Sequence, residues 1–145
     1  VNAIDGSGLS HDNRISVNTL AGVLTTMYSN PKFAGAIQGL PVGGISGTLI
    51  HRFVKTAPQA VGLVHAKTGS LNGVVSLAGF VESGEHKFAF AIIADRIPIG
   101  YYSESAARSA IDKLLGKIAA PLQVNLNIDV VPEITPSPSA ESAAA

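Results

Sequence analysis

The sequence predicts an α/β fold: an antiparallel sheet with flanking helices. Three observations carry this. Residues 74–81 and 88–94 are short apolar runs rich in β-branched and aromatic side chains, parted by the polar Glu82-Ser83-Gly84-Glu85-His86, which is the pattern of a β-hairpin. Ahead of them Val17, Leu20, Ala21, Val23, Leu24 and Met27 recur close to the helical period. Behind them Ala106, Ala107, Ala110, Ile111, Leu114, Leu115 and Ile118 fall on one face of a second helix.

In chain order, residues 5–14 (Asp-Gly-Ser-Gly-Leu-Ser-His-Asp-Asn-Arg) are dense in turn formers, whose side chains bond nearby backbone in preference to helix or sheet, and predict a structured loop. Ser16 stands at an N-cap position, and Asn30-Pro31 stops the helix, so the first helix spans 17–28. A short helical turn is expected within 33–40. The Gly-rich 41–47 forces an irregular connection, and another short helix is expected at 48–53. Pro58 then leads into a strand at 63–67. After the hairpin, Asp95-Arg96-Ile97-Pro98-Ile99-Gly100 breaks the pattern, and Ser103 is the expected cap of the last helix. That helix carries Glu104 early and Lys113 and Lys117 late, which suits its dipole. An extended segment is expected at 121–131 and a disordered Pro/Ser/Ala-rich tail at 132–145.

With 145 residues, 46% hydrophobic and only 14% charged, the chain is sized and composed for one well-buried unit. Ten basic and ten acidic residues give zero net charge, so bulk electrostatics offers no footprint for a nucleic acid. Cysteine is absent, which removes thiol catalysis, disulfides and cysteine metal sites. No apolar run reaches the ~20 residues of a membrane span. An opening on Val1, without Met, inside a segment expected to be ordered, leads us to expect a piece of a longer protein.

The strongest chemical signal is Lys67-Thr68-Gly69-Ser70. A cation and two hydroxyls beside a glycine offer an anionic group a charge, two donors and a close approach to backbone N–H groups. A lysine there can also support proton transfer with a serine hydroxyl, and a strand N–H can stabilise an oxyanion. Taken bare, such a tetrapeptide is an ordinary strand end, and the cluster Ser10-His11-Asp12-Asn13 is an ordinary turn; each gains meaning only from the other. Gly62 with Lys67-Thr68 is no phosphate loop, since Ala66 precedes the lysine and strands follow. Ser29-Asn30-Pro31-Lys32 fits Ser-x-x-Lys, a nucleophile signature, but falls after a predicted helix end with proline inside, and is set aside as coincidence. His11, His51, His65 and His86 show no metal-site spacing, so no metal is expected, and the acidic residues give no glycosidase pair.

Four blocks together resemble a known family: residues 5–10 with Asn13, residues 40–49 (Leu-Pro-Val-Gly-Gly-Ile-Ser-Gly-Thr-Leu), residues 66–71 (Ala-Lys-Thr-Gly-Ser-Leu) and residues 77–80 (Leu-Ala-Gly-Phe). In order and content they are similar to the class C low-molecular-mass penicillin-binding proteins, the D-alanyl-D-alanine carboxypeptidase/endopeptidases. The likeness covers roughly residues 3–119. It implies the C-terminal part of a serine transpeptidase/β-lactamase-like domain over 1–120, in which Ser-x-x-Lys, Ser-x-Asn and Lys-Thr-Gly converge.

By this resemblance Ser10 is the proton-relay serine and Lys67 the catalytic lysine. The Thr68 and Ser70 hydroxyls, beside Gly69, hold the substrate carboxylate, and the Ser70 backbone N–H forms half an oxyanion hole. Strict Ser-x-Asn spacing lands on Asp12 and the amide comes one place later at Asn13, so both stand as substrate-binding candidates. The acylated serine is expected upstream of this chain, which makes the missing N-terminal portion of the same protein a required partner. The resemblance further implies peptidoglycan stem peptides and β-lactam antibiotics as ligands, no cofactor, and an extracytoplasmic location. The competing function is a non-catalytic module that holds a peptidoglycan peptide at the Lys67-Thr68-Gly69 edge.

Overall fold

Strands β1 (Val64–Leu71), β2 (Val74–Ser83) and β3 (His86–Ala94) form one antiparallel sheet in the order β1-β2-β3. This is a computed structural model, and it describes residues 1–123. The β2–β3 hairpin is longer than the polar stretch suggested: Ser83 pairs with His86 across a two-residue turn. Gly84 supplies the positive φ (57°) that the first position of such a turn demands. β1 likewise runs four residues past Lys67, so the whole Lys67-Thr68-Gly69-Ser70 stretch is strand. Gly73, at φ 75°, turns β1 into β2.

Side chains alternate between the two sheet faces. One face presents Val64, Ala66, Val75, Leu77 and Val81, all buried, to helix α3 (Tyr101–Gln123), which lays Ile111, Leu115, Ala119 and Leu122 across them. Leu49, Phe53, Ala57 and Ala60 complete this core. Gly116 sets the approach of α3 to the 3-10 turn Pro58–Ala60, because a Cβ there would lie 2.6 Å from Gln59 Nε2 and 2.7 Å from Ala57 Cβ.

The opposite face meets helix α1 (Val17–Tyr28), which has the expected bounds and the expected cap: Ser16 Oγ accepts the Thr19 N–H at 3.1 Å. Tyr28 packs on Phe80 with ring centroids 5.5 Å apart. Lys87 Nζ sits 4.0 Å over the Tyr28 ring, donates to its hydroxyl at 2.7 Å, and pairs with Glu82 at 2.8 Å. Burial pushes this amine down, but bonds to Glu82 and Tyr28 and their charges outweigh it and hold its pKa above the ordinary lysine value.

Some expected elements hold and others shift. The helix at 48–53 is only a 3-10 turn, Gly47–Leu49, because the chain reverses at Phe53, which takes φ 71°. The short helix within 33–40 is present as α2 (Ala34–Gln38) after a 3-10 turn at Pro31–Phe33. The last helix begins at Tyr101, two residues before Ser103, and continues through Pro121 to Gln123. Pro121, Leu122 and Gln123, expected in an extended segment, are therefore helical, while the rest of that segment (124–131) and the tail at 132–145 lie outside the described residues. Pro121 lacks the N–H that would bond the carbonyl four residues back, and the helical stretch beyond it is held by Ser83 Oγ, which donates to the Leu122 carbonyl at 3.1 Å in a buried contact.

Candidate active site

The loop at 2–14 is built around one carboxylate. Asp5 Oδ1 accepts the Gly8 N–H at 2.6 Å and the Ser7 hydroxyl at 3.2 Å, and Oδ2 accepts the Ser10 N–H at 2.8 Å. A two-bond bridge between Asn2 and Arg14, 2.8 Å each way, closes the loop. The Gly8 amide, joined by those of Ser10 and Asn13 and the Ser7 hydroxyl, outweighs desolvation and holds the Asp5 carboxyl below its ordinary pKa. Composition predicts the loop, but nothing in the sequence singles out Asp5 as its organiser.

Asn13 is spent inside this loop: its Oδ1 accepts the Ile4 N–H at 2.8 Å and the Asp5 N–H at 3.4 Å, while its Nδ2 donates to Asp5 Oδ1 at 3.4 Å. Asp12 has an exposed side chain with no such engagement among the described residues; its N–H donates to Ser10 Oγ at 3.2 Å.

β1 is an edge strand of the described sheet. In an antiparallel pair, backbone groups point alternately to the partner and away from it. The outward side is identified by Gly43 N–H bonding the Val64 carbonyl at 2.8 Å and Ala66 N–H bonding the Pro41 carbonyl at 2.9 Å. Two and four residues beyond Ala66, the Thr68 and Ser70 N–H groups face the same open side, and neither has an acceptor among the described residues. Lys67 Nζ donates to the Thr68 carbonyl at 2.8 Å, and Thr68 Oγ1 donates to Thr48 Oγ1 at 3.3 Å, tying the edge to the Gly-rich 41–48 segment.

Loop and edge face each other across an open groove of about 960 Å³. Its walls include Ser10, Asp12 and Asn13 on one side and Lys67, Thr68, Gly69 and Ser70 on the other, so the structure brings all seven residues singled out from sequence to one place. Ser10 and Lys67 share the groove without bonding to each other. Ser29 and Lys32 lie elsewhere, both exposed: Ser29 is the C-cap of α1, with Oγ donating to the Thr25 carbonyl at 3.0 Å, as expected for a chance motif. One residue that the sequence does not single out joins the site: Arg108 of α3 donates to Ser70 Oγ at 3.2 Å. Among the described residues no group of three or more His, Asp or Glu side chains is placed to hold a metal ion, and no helix is long and apolar enough to cross a membrane.

This arrangement can receive an anion at the β1 edge and a carbonyl oxygen at outward strand N–H groups, next to a serine and a lysine. Comparison with known proteins identifies the family. A family model described as the D-Ala-D-Ala carboxypeptidase 3 (S13) family matches residues 2–118. The chain is 41% identical over 104 residues to a penicillin-sensitive carboxypeptidase A of Dictyostelium discoideum, covering 66% of this chain and 19% of that protein. It superposes on a crystal structure of penicillin-binding protein 4 from Haemophilus influenzae with a TM-score of 0.69 and 31% identity, covering 82% of this chain and 27% of the other. A second crystal structure of that protein, complexed with a novel β-lactam, gives a TM-score of 0.60 at 32% identity over 84% of this chain and 28% of the other. The chain thus spans between 19% and 28% of the length of these relatives. The likeness to class C low-molecular-mass penicillin-binding proteins holds, and the sheet with its helices is part of a serine penicillin-binding fold. The chain belongs to the D-Ala-D-Ala carboxypeptidase 3 (S13) family.

Proposed function

We propose that this chain is the substrate-holding part of a penicillin-sensitive serine D,D-carboxypeptidase/endopeptidase that acts on peptidoglycan stem peptides outside the cytoplasmic membrane. The observation that carries the reading is the shared groove, where the Ser10 loop faces the Lys67–Ser70 edge with the Thr68 and Ser70 N–H groups directed outward. The substrate's terminal carboxylate rests on the Thr68 and Ser70 hydroxyls, with Gly69 leaving the strand surface open to the peptide backbone. Its scissile carbonyl oxygen accepts the Ser70 N–H. Asp12 is the substrate-facing member of the second motif, accepting a peptide N–H, because both ends of the Asn13 amide are engaged within the loop.

The nucleophile is a serine outside the described residues. Its oxygen attacks the D-Ala-D-Ala carbonyl, and its proton passes through the Ser10 and Lys67 pair to the departing D-Ala amine. An acyl-enzyme remains, and water then cleaves it to regenerate the serine. A β-lactam enters the same path, its ring amide opened by the serine.

D-Ala release from an acyl-D-Ala-D-Ala peptide by the full-length protein tests this directly. Ser10→Ala and Lys67→Ala are each expected to lower kcat by about 100-fold or more with the fold retained. A full-length protein that binds the peptide but releases no D-Ala would favour the non-catalytic binding module instead.

A further inference from the structure

Arg108 sits behind the edge strand at the point where the proposed substrate carboxylate would rest, so this inference depends on the reading above. Its Nη2 donates to Ser70 Oγ at 3.2 Å and to Glu104 Oε2 at 3.1 Å. A guanidinium has no acceptor, so Ser70 Oγ accepts in this contact and its own proton is free to point elsewhere. Ser70 is exposed to the groove, and that is where an acceptor would be found.

The placement is firmly supported. Glu104 stands one turn earlier on α3 and pairs with Arg108 Nη2. The Arg108 carbonyl accepts from Arg52 Nη2 at 3.3 Å, and Arg52 is itself locked to the buried Asp112. An ordinary helix-surface ion pair would need only Glu104; the third contact spans 38 residues and joins α3 to β1. By strand alternation Ser70 points to the α3 face while Lys67 points to the α1 face, so the edge has a cation on each side.

We propose that Arg108 is a positioning residue for carboxylate recognition. It turns the Ser70 hydroxyl into a donor aimed at the groove and places a second positive charge behind it. The consequence is a preference for peptides that end in a free carboxylate over peptides whose C-terminus is uncharged.

The test uses the full-length protein as wild type, Arg108→Ala and Arg108→Lys, each first checked for an unchanged unfolding temperature. Two probes are compared, an acyl-D-Ala-D-Ala peptide and the same peptide as its C-terminal amide. Each is read by cleavage and by competition with penicillin labelling, so that an uncleaved amide still yields a binding constant. Arg108→Ala is expected to weaken the carboxylate peptide by about tenfold or more, mainly in KM, while the amide changes less than about twofold. Arg108→Lys, which keeps the charge but loses the planar fork, should recover part of the loss. Equal losses on both peptides, or none on either, would overturn the proposal. A wild type that labels and cleaves in that case leaves the enzymatic reading standing, whereas a wild type that does neither removes that reading and this inference with it.

Discussion

Gly79 shows how tightly single residues constrain the sheet that carries the site. It pairs with Ala66 on β1, and a Cβ built on it would collide with the His65 carbonyl and come 2.6 Å from Ala66 Cα. Backbone cannot step aside, so Gly79→Ala is expected to destabilise the protein by about 3 kcal/mol or more, measured by urea unfolding. Gly69→Ala is expected to cost clearly less, since the obstacle there is the Ser76 hydroxyl, which can rotate. Asp5 acts through charge. Its folded pKa is depressed, chiefly by the Gly8 amide, so the unfolded loop binds more protons between the two pKa values and stability rises with pH across that window. The Asp5 contribution is complete above the ordinary carboxylate range and is lost as pH falls through the lower folded value. The Gly8 and Ser10 amide NMR shifts should titrate together with a midpoint below that of an unperturbed aspartate, and Asp5→Asn should abolish the transition.

Among the elements, two clamps hold the helices in place, one on the segment at 52–56 and one on the sheet. Asp112, buried on α3, accepts from Arg52 Nε at 3.0 Å, from the Thr56 hydroxyl at 3.1 Å and from the Phe53 N–H at 3.4 Å. Removing it strands a poorly exposed guanidinium, so Asp112→Ala is expected to lose about 3 to 5 kcal/mol in a chemical-denaturation series. On the other face the Lys87, Tyr28 and Glu82 cluster anchors the end of α1. Lys87→Met should cost about 1 kcal/mol at neutral pH. Because the Lys87 pKa is raised, the wild-type contribution persists through ordinary pH and disappears only as pH rises past the folded value. These clamps also explain which elements could be read in advance. The bounds of α1 are set by Ser16 and by Asn30-Pro31, local signals in plain view. The reversal at Phe53 goes with a buried carboxylate 59 residues away, and the persistence of α3 past Pro121 with a serine 39 residues away. Spacing along a chain does not reveal such partners.

Across the whole molecule, the site is made where a loop near residue 10 meets a strand edge near residue 70. The residue types announced themselves because a lysine, hydroxyls and glycine in line suit an anion whatever the fold. Their convergence on one groove depended on tertiary structure, as did the engagement of the Asn13 amide by Ile4 and Asp5, on which the proposal of Asp12 as the substrate-facing residue rests. Asp12→Ala is accordingly expected to weaken peptide binding at least several-fold, whereas Asn13→Ala should act chiefly by loosening the loop and lowering thermal stability.

The proposed role of the Lys67 edge in acylation is tested by penicillin labelling followed by intact mass, on the full-length protein, its Lys67→Ala variant and the isolated 145-residue chain. One acyl adduct is expected on the full-length protein, with acylation slower by about 100-fold or more in Lys67→Ala at an unchanged unfolding temperature, and no adduct on the isolated chain. A Lys67→Ala variant that labels at the wild-type rate, or an adduct on the isolated chain, would contradict the proposal.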